Sequence, residues 1–210
     1  MTIICIAGHS GSGKSEVTKS LIEHLPNTVL IDGDKYMFQW MAEHLEDFKD
    51  VFGISKEKCD LKECMDIAKQ MTSEQFRKFV YTSAPFIEKG IENELCNLCE
   101  YNKLYVIIEW MGIPMFKVWA RSEYRIIVNS SFEQRREKLL ERTLKEGKAY
   151  KEDPATIRTP CIEEILKIVK DVDFVLNNTY NEYFSLECKR VCDKILAKND
   201  CLLNCKLKYL

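Results

Sequence analysis

The sequence has neither a long apolar run nor a strong net charge, and these two absences exclude whole classes of protein. None of its segments approaches the roughly 20 consecutive apolar residues that a membrane-spanning helix requires. The formal net charge of −2 at pH 7 leaves no basic excess of the kind that binds nucleic acid. The apolar segment after Met1 is also too short for a signal peptide. We therefore expect a cytoplasmic protein that binds neither a membrane nor nucleic acid.

The sequence also lacks the cysteine density of a small disulfide-stabilised scaffold, although it contains ten cysteines. Cys96 and Cys99 form a C-x-x-C pair, but no second such pair or histidine pair follows at zinc-finger spacing. Cys188 and Cys192 are four residues apart on a segment of helical pattern. In a cytoplasmic protein we expect reduced thiols that act mostly as small apolar side chains, in preference to a zinc site.

Glycine is scarce, and the few glycines are concentrated in one place. Three of the eight in the chain belong to the octet GHSGSGKS, which satisfies the pattern G-x-x-x-x-G-K-[ST]. Glycine is needed there because the backbone must adopt positive φ and bring its N–H groups close to phosphate oxygens. The octet follows an apolar strand pattern and precedes a helical one, which is the context that a phosphate-binding loop requires.

The octet therefore predicts a site for the phosphates of ATP. All of its residues are assigned to nucleotide binding: Gly8, His9, Ser10, Gly11, Ser12, Gly13, Lys14 and Ser15. Lys14 is expected to reach the β- and γ-phosphates and Ser15 to bind Mg²⁺. The alternative interpretation is a solvated glycine turn with an incidental lysine.

Apolar, β-branched segments alternate with segments of helical pattern along the rest of the chain. Five segments are predicted to be strands: Ile3–Ala7, Thr28–Asp32, Leu104–Glu109, Tyr124–Ser130 and Val172–Asn178. Helices are predicted over 14–24, over most of 36–102 with a break near Thr82–Pro85, over 132–147 and over 183–197. This alternation implies an α/β protein with a parallel sheet covered by helices on both faces.

We predict a single domain with three appended segments. Residues of about 36–103 form a helical insert that binds the acceptor, and about 198–210 form a tail without assigned function. The polar segment of about 143–160 is predicted to be a lid that closes over the nucleotide and excludes water. Closure of this lid would bring Arg158 to a phosphate.

Two of the predicted strands end on acidic residues. The second is followed by Asp32-Gly33-Asp34, and the third ends on Glu109. Ligands bind at the carboxyl edge of such sheets, so we expect these carboxylates beside the phosphates. Asp34 is the predicted base for the attacking hydroxyl, and Asp32 and Glu109 are predicted Mg²⁺ ligands, although the assignment of the base among the three stays open. The alternatives are a helix N-cap at Asp34 and a loop cap at Glu109.

A basic cluster follows the fourth predicted strand in an otherwise neutral chain. Lys138 and Arg142 share one helix face at i, i+4 spacing, and Arg135 and Arg136 precede them. A transferring phosphoryl group needs such cations, so Lys138 and Arg142 are predicted to be catalytic. The alternative is an exposed helix whose basic residues pair with the interleaved glutamates.

The order of these parts resembles dephospho-CoA kinase, a P-loop kinase of the nucleoside-monophosphate-kinase type, over nearly the whole chain. The likeness rests on the segments IAGHSGSGKSEVTKSL, VLIDGD, IIVNSSFEQRREKLLER and DVDFVLNN and on the spacing of the helical region between them. The resemblance implies a three-layer P-loop kinase fold with a five-stranded parallel sheet, a helical substrate-binding insert and a short lid.

The resemblance also implies an activity in coenzyme A biosynthesis: transfer of the ATP γ-phosphate to the ribose 3′-hydroxyl of dephospho-CoA. It implies that Asp34 is the catalytic base, that Lys138 replaces a phosphate-binding arginine and that Arg142 matches the arginine one turn further on. Oligomeric state is not indicated.

Two other functions remain open at this stage. Glu109 followed by a loop is similar to the uridine-kinase branch, which phosphorylates a nucleoside 5′-hydroxyl, and Ala84-Pro85 stands where the dephospho-CoA kinase family has His-Pro. A nucleoside is therefore the second candidate acceptor. A non-catalytic ATP-binding regulatory module is the third possibility, and the absence of an N-K-x-D motif disfavours a GTP-type switch.

Overall fold

The computed structural model describes residues 1–45, 60–68, 70–101, 104–145 and 153–207. Its centre is a parallel sheet of five strands, which are β1 (Thr2–Gly8), β2 (Thr28–Asp32), β3 (Tyr105–Glu109), β4 (Tyr124–Asn129) and β5 (Phe174–Asn177). Their order across the sheet is β2-β3-β1-β4-β5, and every neighbouring pair is parallel. The predicted five-stranded parallel sheet is confirmed, with strand ends that differ from the predicted ones by one or two residues.

Helices connect the strands. They are α1 (Lys14–His24), α2 (Gly33–Glu43), α3 (Leu61–Ala68), α4 (Ser73–Leu98), α5 (Lys117–Arg121), α6 (Phe132–Lys145), α7 (Pro154–Lys167) and α8 (Glu182–Leu207), with a 3₁₀ turn at Ile113–Met115. The predicted bounds of α1 are confirmed. None of the helices in the described ranges is long and apolar enough to cross a membrane.

The two faces of the sheet carry separate apolar clusters. Successive side chains of a strand point to opposite faces, so Cys5 and Ala7 of β1 belong to one cluster and Ile4 and Ile6 to the other. The first cluster packs against α2, α3, α4 and α7, and the second against α1 and α8. The result is the predicted three-layer α/β arrangement, with both faces of the sheet buried.

Parallel pairing brings the chemically interesting strand ends to one edge. Asp32 is paired in register with Glu109 across β2 and β3, and Glu109 is paired with Ile6 of β1, two residues before the phosphate loop begins. The register therefore places both strand-end carboxylates beside the octet, as parallel topology requires.

The predicted helix break near Thr82–Pro85 is wrong. Helix α4 runs through this segment without interruption, although Pro85 lacks the backbone N–H that an interior position supplies. One face of α4 is fully buried along its length, including Phe79 and Ile87 on either side of the proline. Burial of that face outweighs the local cost of proline, and the exposed ring of Pro85 lies on the opposite side.

Three further boundaries differ from the predicted ones. Helix α2 begins at Gly33 and not near Tyr36, because Asp32 caps it. Helix α8 continues to Leu207, so the predicted tail from about 198 is a continuation of that helix over most of its length. Of the predicted lid, 146–152 lie outside the described residues, and from Pro154 onwards the chain already forms α7.

Candidate functional site

The octet forms a tight loop at the end of β1, and three of its positions have a backbone conformation that favours glycine. Gly8, Gly11 and Gly13 have φ values of 147°, 77° and 98°. A Cβ atom on Gly8 would lie 2.2 Å from the carbonyl oxygen of Val128, and one on Gly13 would lie 2.1 Å from Nδ2 of Asn178. Both the backbone conformation and the surrounding atoms therefore exclude a side chain at these positions.

The loop is shaped to hold an anion. Lys14 curls back so that its Nζ donates to the carbonyl oxygens of Gly8 at 3.1 Å and of His9 at 3.0 Å. Gly13 is the N-cap residue of α1, so no cap side chain accepts hydrogen bonds from the first amides of that helix. These amides and the positive end of the helix dipole fit a phosphate group, as the sequence pattern indicates.

Asn178 holds the backbone of this loop through a hydrogen bond. The sequence alone did not identify it as a site residue. It is 1% exposed, and its Nδ2 donates to the carbonyl oxygen of Ser12 at 3.0 Å. Its Oδ1 accepts from the backbone N–H of Tyr180 at 2.7 Å. The asparagine after the fifth apolar run is a visible signal, but only the fold brings β5 next to the loop.

The three candidate carboxylates have different hydrogen-bond partners. Asp32 is the N-cap residue of α2, and its Oδ1 accepts from the backbone N–H of Asp34 at 2.9 Å. Glu109 accepts from Ser15 Oγ at 3.1 Å and from Thr18 Oγ1 at 2.6 Å. The helix N-cap considered for Asp34 is thus found two residues earlier, at Asp32, while Asp34 lies in the first turn of the helix. Thr18 is a second site residue that sequence reasoning missed.

Charge and burial oppose each other at Asp34. Asp34 is exposed to the cleft, but protein atoms surround its carboxyl and keep bulk water away from it. This local burial raises the pKa of the carboxyl. Lys14 and Arg158 lower that pKa in part, whereas Glu109 raises it further. A carboxyl whose pKa is raised above that of an ordinary aspartate is a better proton acceptor near neutral pH.

Lys14 and Asp32 are perturbed by the same cluster. Burial lowers the pKa of Lys14, and the carboxylates of Glu109 and Asp34 counteract that effect. Burial, followed by the repulsion from Asp34, raises the pKa of Asp32 to about 6. Shifts of this kind are typical of functional sites, where like charges are held close together.

The oxygen atoms at this edge fit Mg²⁺. Magnesium is usually held by one or two carboxylates together with substrate phosphates and water, and not by a cage made only of protein side chains. Ser15 Oγ and Glu109 Oε1 are 3.1 Å apart, and Asp32 lies beside Glu109 in register. Within the described ranges no group of three or more histidine, cysteine, aspartate or glutamate side chains forms such a cage.

The basic residues are divided between the cleft and the protein surface. Lys138, Arg142 and Arg158 line the cleft, and Lys138 also pairs with Glu141 at 3.1 Å. Arg136 is exposed and pairs with Asp153. One face of the basic helix therefore reaches the cleft, while ion pairs, as the alternative interpretation expects, form on its exposed side.

A cleft of about 320 Å³ brings the predicted site residues together. Its wall includes eleven of them, namely Ser10, Gly11, Gly13, Lys14, Ser15, Asp32, Asp34, Glu109, Lys138, Arg142 and Arg158. The remaining loop residues Gly8, His9 and Ser12 lie within the same loop. The roles assigned to these residues stay predictions.

The other half of the cleft is apolar. Its described wall consists of Met37, Phe38, Ala68, Phe76, Trp110 and Met111. Trp40, the aromatic residue two positions after Phe38, is buried away from the cleft against His44, at 4.9 Å between ring centroids. Phe38 is therefore the aromatic residue of this pair that a ligand can reach.

Trp110 determines the shape of this apolar half. Its ring is stacked on Phe116 at 5.1 Å and is 1% exposed. A Cβ on Gly33 would lie 2.5 Å from Trp110, and one on Gly112 would lie 2.2 Å from it. Gly33 thus has a packing reason for standing between the two aspartates.

None of the seven cysteines whose side chains the structure describes lines the cleft. Five of them are buried (Cys5, Cys64, Cys161, Cys188 and Cys192), and Cys96 and Cys99 are exposed. All seven are free. The buried ones act as small apolar side chains in the two clusters on the sheet faces.

Comparison with known proteins gives a likeness of structure. No family model matches the chain, and no curated protein matches it at a significant level. The solved structure of TT1252 from Thermus thermophilus is 22% identical, covers 94% of this chain and 97% of its own, and has a TM-score of 0.60.

Two kinases are among the other similar structures. Shikimate kinase from Bacteroides thetaiotaomicron is 14% identical, with 93% of this chain and 98% of its own covered and a TM-score of 0.51. Dephospho-CoA kinase from Campylobacter jejuni is 17% identical, with 92% and 97% covered and a TM-score of 0.50. The chain has the P-loop kinase fold. At these identities the likeness extends to the fold, and the activity must be argued from the site.

Proposed function

We propose that this protein is a small-molecule kinase that transfers the γ-phosphoryl group of ATP to the hydroxyl of an acceptor. One observation carries the proposal: Asp34 lies in the same cleft as the phosphate loop and is electrostatically coupled to Lys14. A protein that only holds a nucleotide has no need of a carboxylate at this position. A kinase needs one to accept the proton of the attacking hydroxyl.

One end of the cleft carries the residues that we propose to bind Mg²⁺-ATP. Mg²⁺-ATP, when bound, supplies the phosphoryl group and a cation that offsets its charge. The loop amides and Lys14 hold the phosphates, and Ser15 and Glu109 present oxygen ligands to the metal. Lys138, Arg142 and Arg158 surround the same space with positive charge.

Asp34 is the proton acceptor in this scheme. It would take the proton of the acceptor hydroxyl onto a carboxylate oxygen, and its raised pKa favours that transfer. Asp32 is less suited to this role because its Oδ1 is engaged as the N-cap of α2. Asp32 is therefore assigned to the metal side of the site, together with Glu109.

Dephospho-CoA is the first candidate acceptor, and its ribose 3′-hydroxyl would be the attacking group. The proposal is supported by the motif order along the chain and by the fold shared with a dephospho-CoA kinase. The acceptor would enter between α2 and α4, where Phe38 and Phe76 line the cleft. Aromatic walls of this kind suit the adenine ring of such a substrate.

A nucleoside is the second candidate acceptor. The observation in its favour is that the described wall of the apolar half is itself uncharged, and that Arg158, the cation beside Phe76 in this wall, is assigned to the phosphates of ATP. A neutral nucleoside would stack on the same aromatic residues without needing such a charge.

Turnover with each acceptor tests the proposal. ATP consumption is measured with dephospho-CoA, with uridine and with no acceptor, and the product is identified by mass. We expect acceptor-dependent formation of ADP, with a product heavier by one phosphate group. ATP binding without turnover of either acceptor would contradict the proposed activity and favour the regulatory nucleotide-binding module.

A further inference from the structure

Arg135 on α6 is a buried arginine that the proposed chemistry does not use. It is 4% exposed, and its Nη1 donates to Thr159 Oγ1 at 3.0 Å. Its Nε is buried without a hydrogen-bond partner, and its Cζ lies 5.7 Å from the centre of the Phe132 ring. The next residue, Arg136, is exposed and paired with Asp153, whereas among the described residues no carboxylate forms a salt bridge with Arg135.

Arg135 lies directly beside the phosphate loop. Its carbonyl oxygen would be 3.1 Å from a Cβ atom on Gly11, so α6 and the loop are in contact at this point. Two other polar atoms of the loop, His9 Nδ1 and Ser12 Oγ, are buried without hydrogen-bond partners. Buried polar groups are normally paired, so three unpaired ones around a single loop require an explanation.

The neighbourhood does not neutralise the guanidinium. Burial, and then the charges of Arg135 and Lys14, lower the pKa of His9 to about 4, so its imidazole is neutral at physiological pH. Burial also lowers the pKa of Arg135, and the charges of Glu163 and Glu133 offset this effect in part. The free protein therefore holds a buried guanidinium next to its phosphate loop without a salt bridge from any carboxylate of the described residues.

We propose that Arg135 is a positioning residue whose buried charge destabilises the free protein and is compensated by the triphosphate of the bound nucleotide. Removing one partner of a buried charge pair is costly because the other charge is left uncompensated, and the free protein is in that condition. A polyanion held by the loop would supply the missing charge, and its attraction to a guanidinium that is 4% exposed is screened less than it would be in bulk water.

The hydrogen bond to Thr159 gives this compensation a second consequence. Thr159 is adjacent to Arg158 on α7, and Arg158 lines the cleft with its Cζ 5.8 Å from the ring of Phe76. Arg135 therefore connects the phosphate loop to the helix that carries a candidate phosphate-binding arginine. The inference rests on the nucleotide-binding part of the proposed function and not on the identity of the acceptor.

Thermal unfolding of the full chain tests the inference with Arg135→Gln, which removes the charge and keeps an amide group at the position of Nε, although it is too short to replace the Nη1 hydrogen bond to Thr159. Unfolding is measured with and without the nonhydrolysable analogue AMP-PNP and Mg²⁺. We expect the free variant to unfold at the same temperature as the wild type or higher. The rise in Tm on adding AMP-PNP should shrink, and AMP-PNP should bind about tenfold more weakly.

Two further variants separate charge from shape. Arg135→Lys keeps the charge and should retain most of the AMP-PNP-dependent rise in Tm. Arg136→Gln removes an exposed arginine of the same helix and should leave that rise unchanged.

The outcomes distinguish this inference from the proposed function. An Arg135→Gln variant that fails to fold, or that loses stability equally with and without AMP-PNP, shows a merely structural arginine and overturns the inference. Absence of any rise in Tm for the wild type removes the nucleotide site and this inference with it. Normal AMP-PNP effects without phosphorylation of any acceptor leave the inference standing and contradict only the kinase activity.

Discussion

At the scale of single residues, the site depends on the contrast between two aspartates that are two positions apart. Asp32 caps α2 through its hydrogen bond with the Asp34 backbone, whereas the Asp34 carboxylate is left for chemistry. Their pKa values are both raised, first by burial and, at Asp32, also by the neighbouring charge of Asp34. One local turn thus separates the capping role of Asp32 from the reactive role that we propose for Asp34.

Replacing Asp34 with asparagine tests its role as the base. We expect kcat to fall by about 10²- to 10⁴-fold, because the proton acceptor is lost while the shape of the side chain is kept. The rise in Tm with AMP-PNP and Mg²⁺ should be retained. Asp193→Asn on the exposed side of α8 is the matched control, and it should leave kcat unchanged. Equal activity of the Asp34→Asn variant and the wild type would exclude Asp34 as the base.

The pH dependence of turnover follows from the raised pKa values. A general base must be unprotonated, so kcat/KM should fall as the pH decreases through the pKa of Asp34 in the free enzyme. Because burial raises that pKa, the acidic limb should lie above the ordinary aspartate value of 3.8. A pH–rate profile measured between pH 4 and pH 8 checks this, and a limb near the ordinary value would contradict the burial effect.

The stability of the free protein should decrease with rising pH through the titration of Asp32, because the pKa of this residue is raised in the folded state. Its pKa is raised from 3.8 to about 6, so between these values the folded state binds more protons than the unfolded state. The contribution of Asp32 is therefore fully present below pH 3.8 and is lost as the pH rises to about 6. Asp32→Asn keeps an N-cap side chain. Chemical unfolding at several pH values should show a smaller loss of stability over this range for the variant than for the wild type.

At the scale of elements, helix ends and loop backbones carry the nucleotide site. Gly13 of the loop is the N-cap residue of α1. Asn178, which directly follows β5, donates a hydrogen bond to the carbonyl oxygen of the preceding loop residue, Ser12. The loop is therefore stabilised by an element more than 160 residues away along the chain.

Substituting alanine for Gly13 tests this arrangement. The new Cβ would lie 2.1 Å from Asn178 Nδ2, and the φ of 98° is itself unfavourable for alanine. We expect the free energy of unfolding to fall by about 1–3 kcal/mol and nucleotide binding to be lost. Denaturant unfolding and titration with AMP-PNP measure the two effects. Gly90→Ala is the control outside the loop: its Cβ would lie 2.4 Å from the Tyr36 ring, so it should also lower the free energy of unfolding but should leave AMP-PNP binding intact.

Helix α4 contains a position where a substitution should increase the free energy of unfolding. Pro85 is exposed and lies inside a continuous helix, where proline costs about 3 kcal/mol relative to alanine. Pro85→Ala should therefore stabilise the folded protein by about 1–3 kcal/mol, because it restores a helical N–H without changing the buried face. Denaturant unfolding checks this, and a decrease in stability would show that the proline has a role that packing does not reveal.

At the scale of the whole molecule, the sheet order brings the two halves of the cleft together. β1 lies between β3 and β4, so the phosphate loop is placed next to Glu109 on one side and next to the basic helix α6 on the other. The apolar half of the cleft, where we propose that the acceptor binds, is formed by residues of α2, α3 and α4 and by Trp110 and Met111 after β3. The two halves of the cleft therefore meet only when the sheet is assembled.

Nucleotide binding should consequently stabilise the whole fold. With AMP-PNP and Mg²⁺ at about 100 times the Kd, linkage predicts about 2.7 kcal/mol of added stability. Removal of Mg²⁺ with a chelator should reduce this effect, because Ser15 and Glu109 then lose the cation that they are placed to bind. A Ser15→Ala variant should show a smaller effect of the chelator than the wild type.

Much of the fold could be predicted because its signals are local. Periodicity locates the strands, and the octet indicates a phosphate loop through the steric needs of glycine. The continuity of α4 through Pro85 could not be predicted, because the packing of its buried face against distant elements decides it. Asn178 and Thr18 were missed for the same reason, since their partners Ser12 and Glu109 are far away in sequence.

The order of the elements, the phosphate-loop motif and the acidic ends of β2 and β3 can be read from the sequence alone, because they follow from short-range rules of backbone geometry and side-chain alternation. Three other features depend on long-range packing: Asp32 caps the helix although both aspartates line the cleft, Phe38 and not Trp40 is accessible, and Arg135 is buried beside the loop. They depend on it because burial and charge compensation come from neighbours that the sheet brings close and that are remote in the chain.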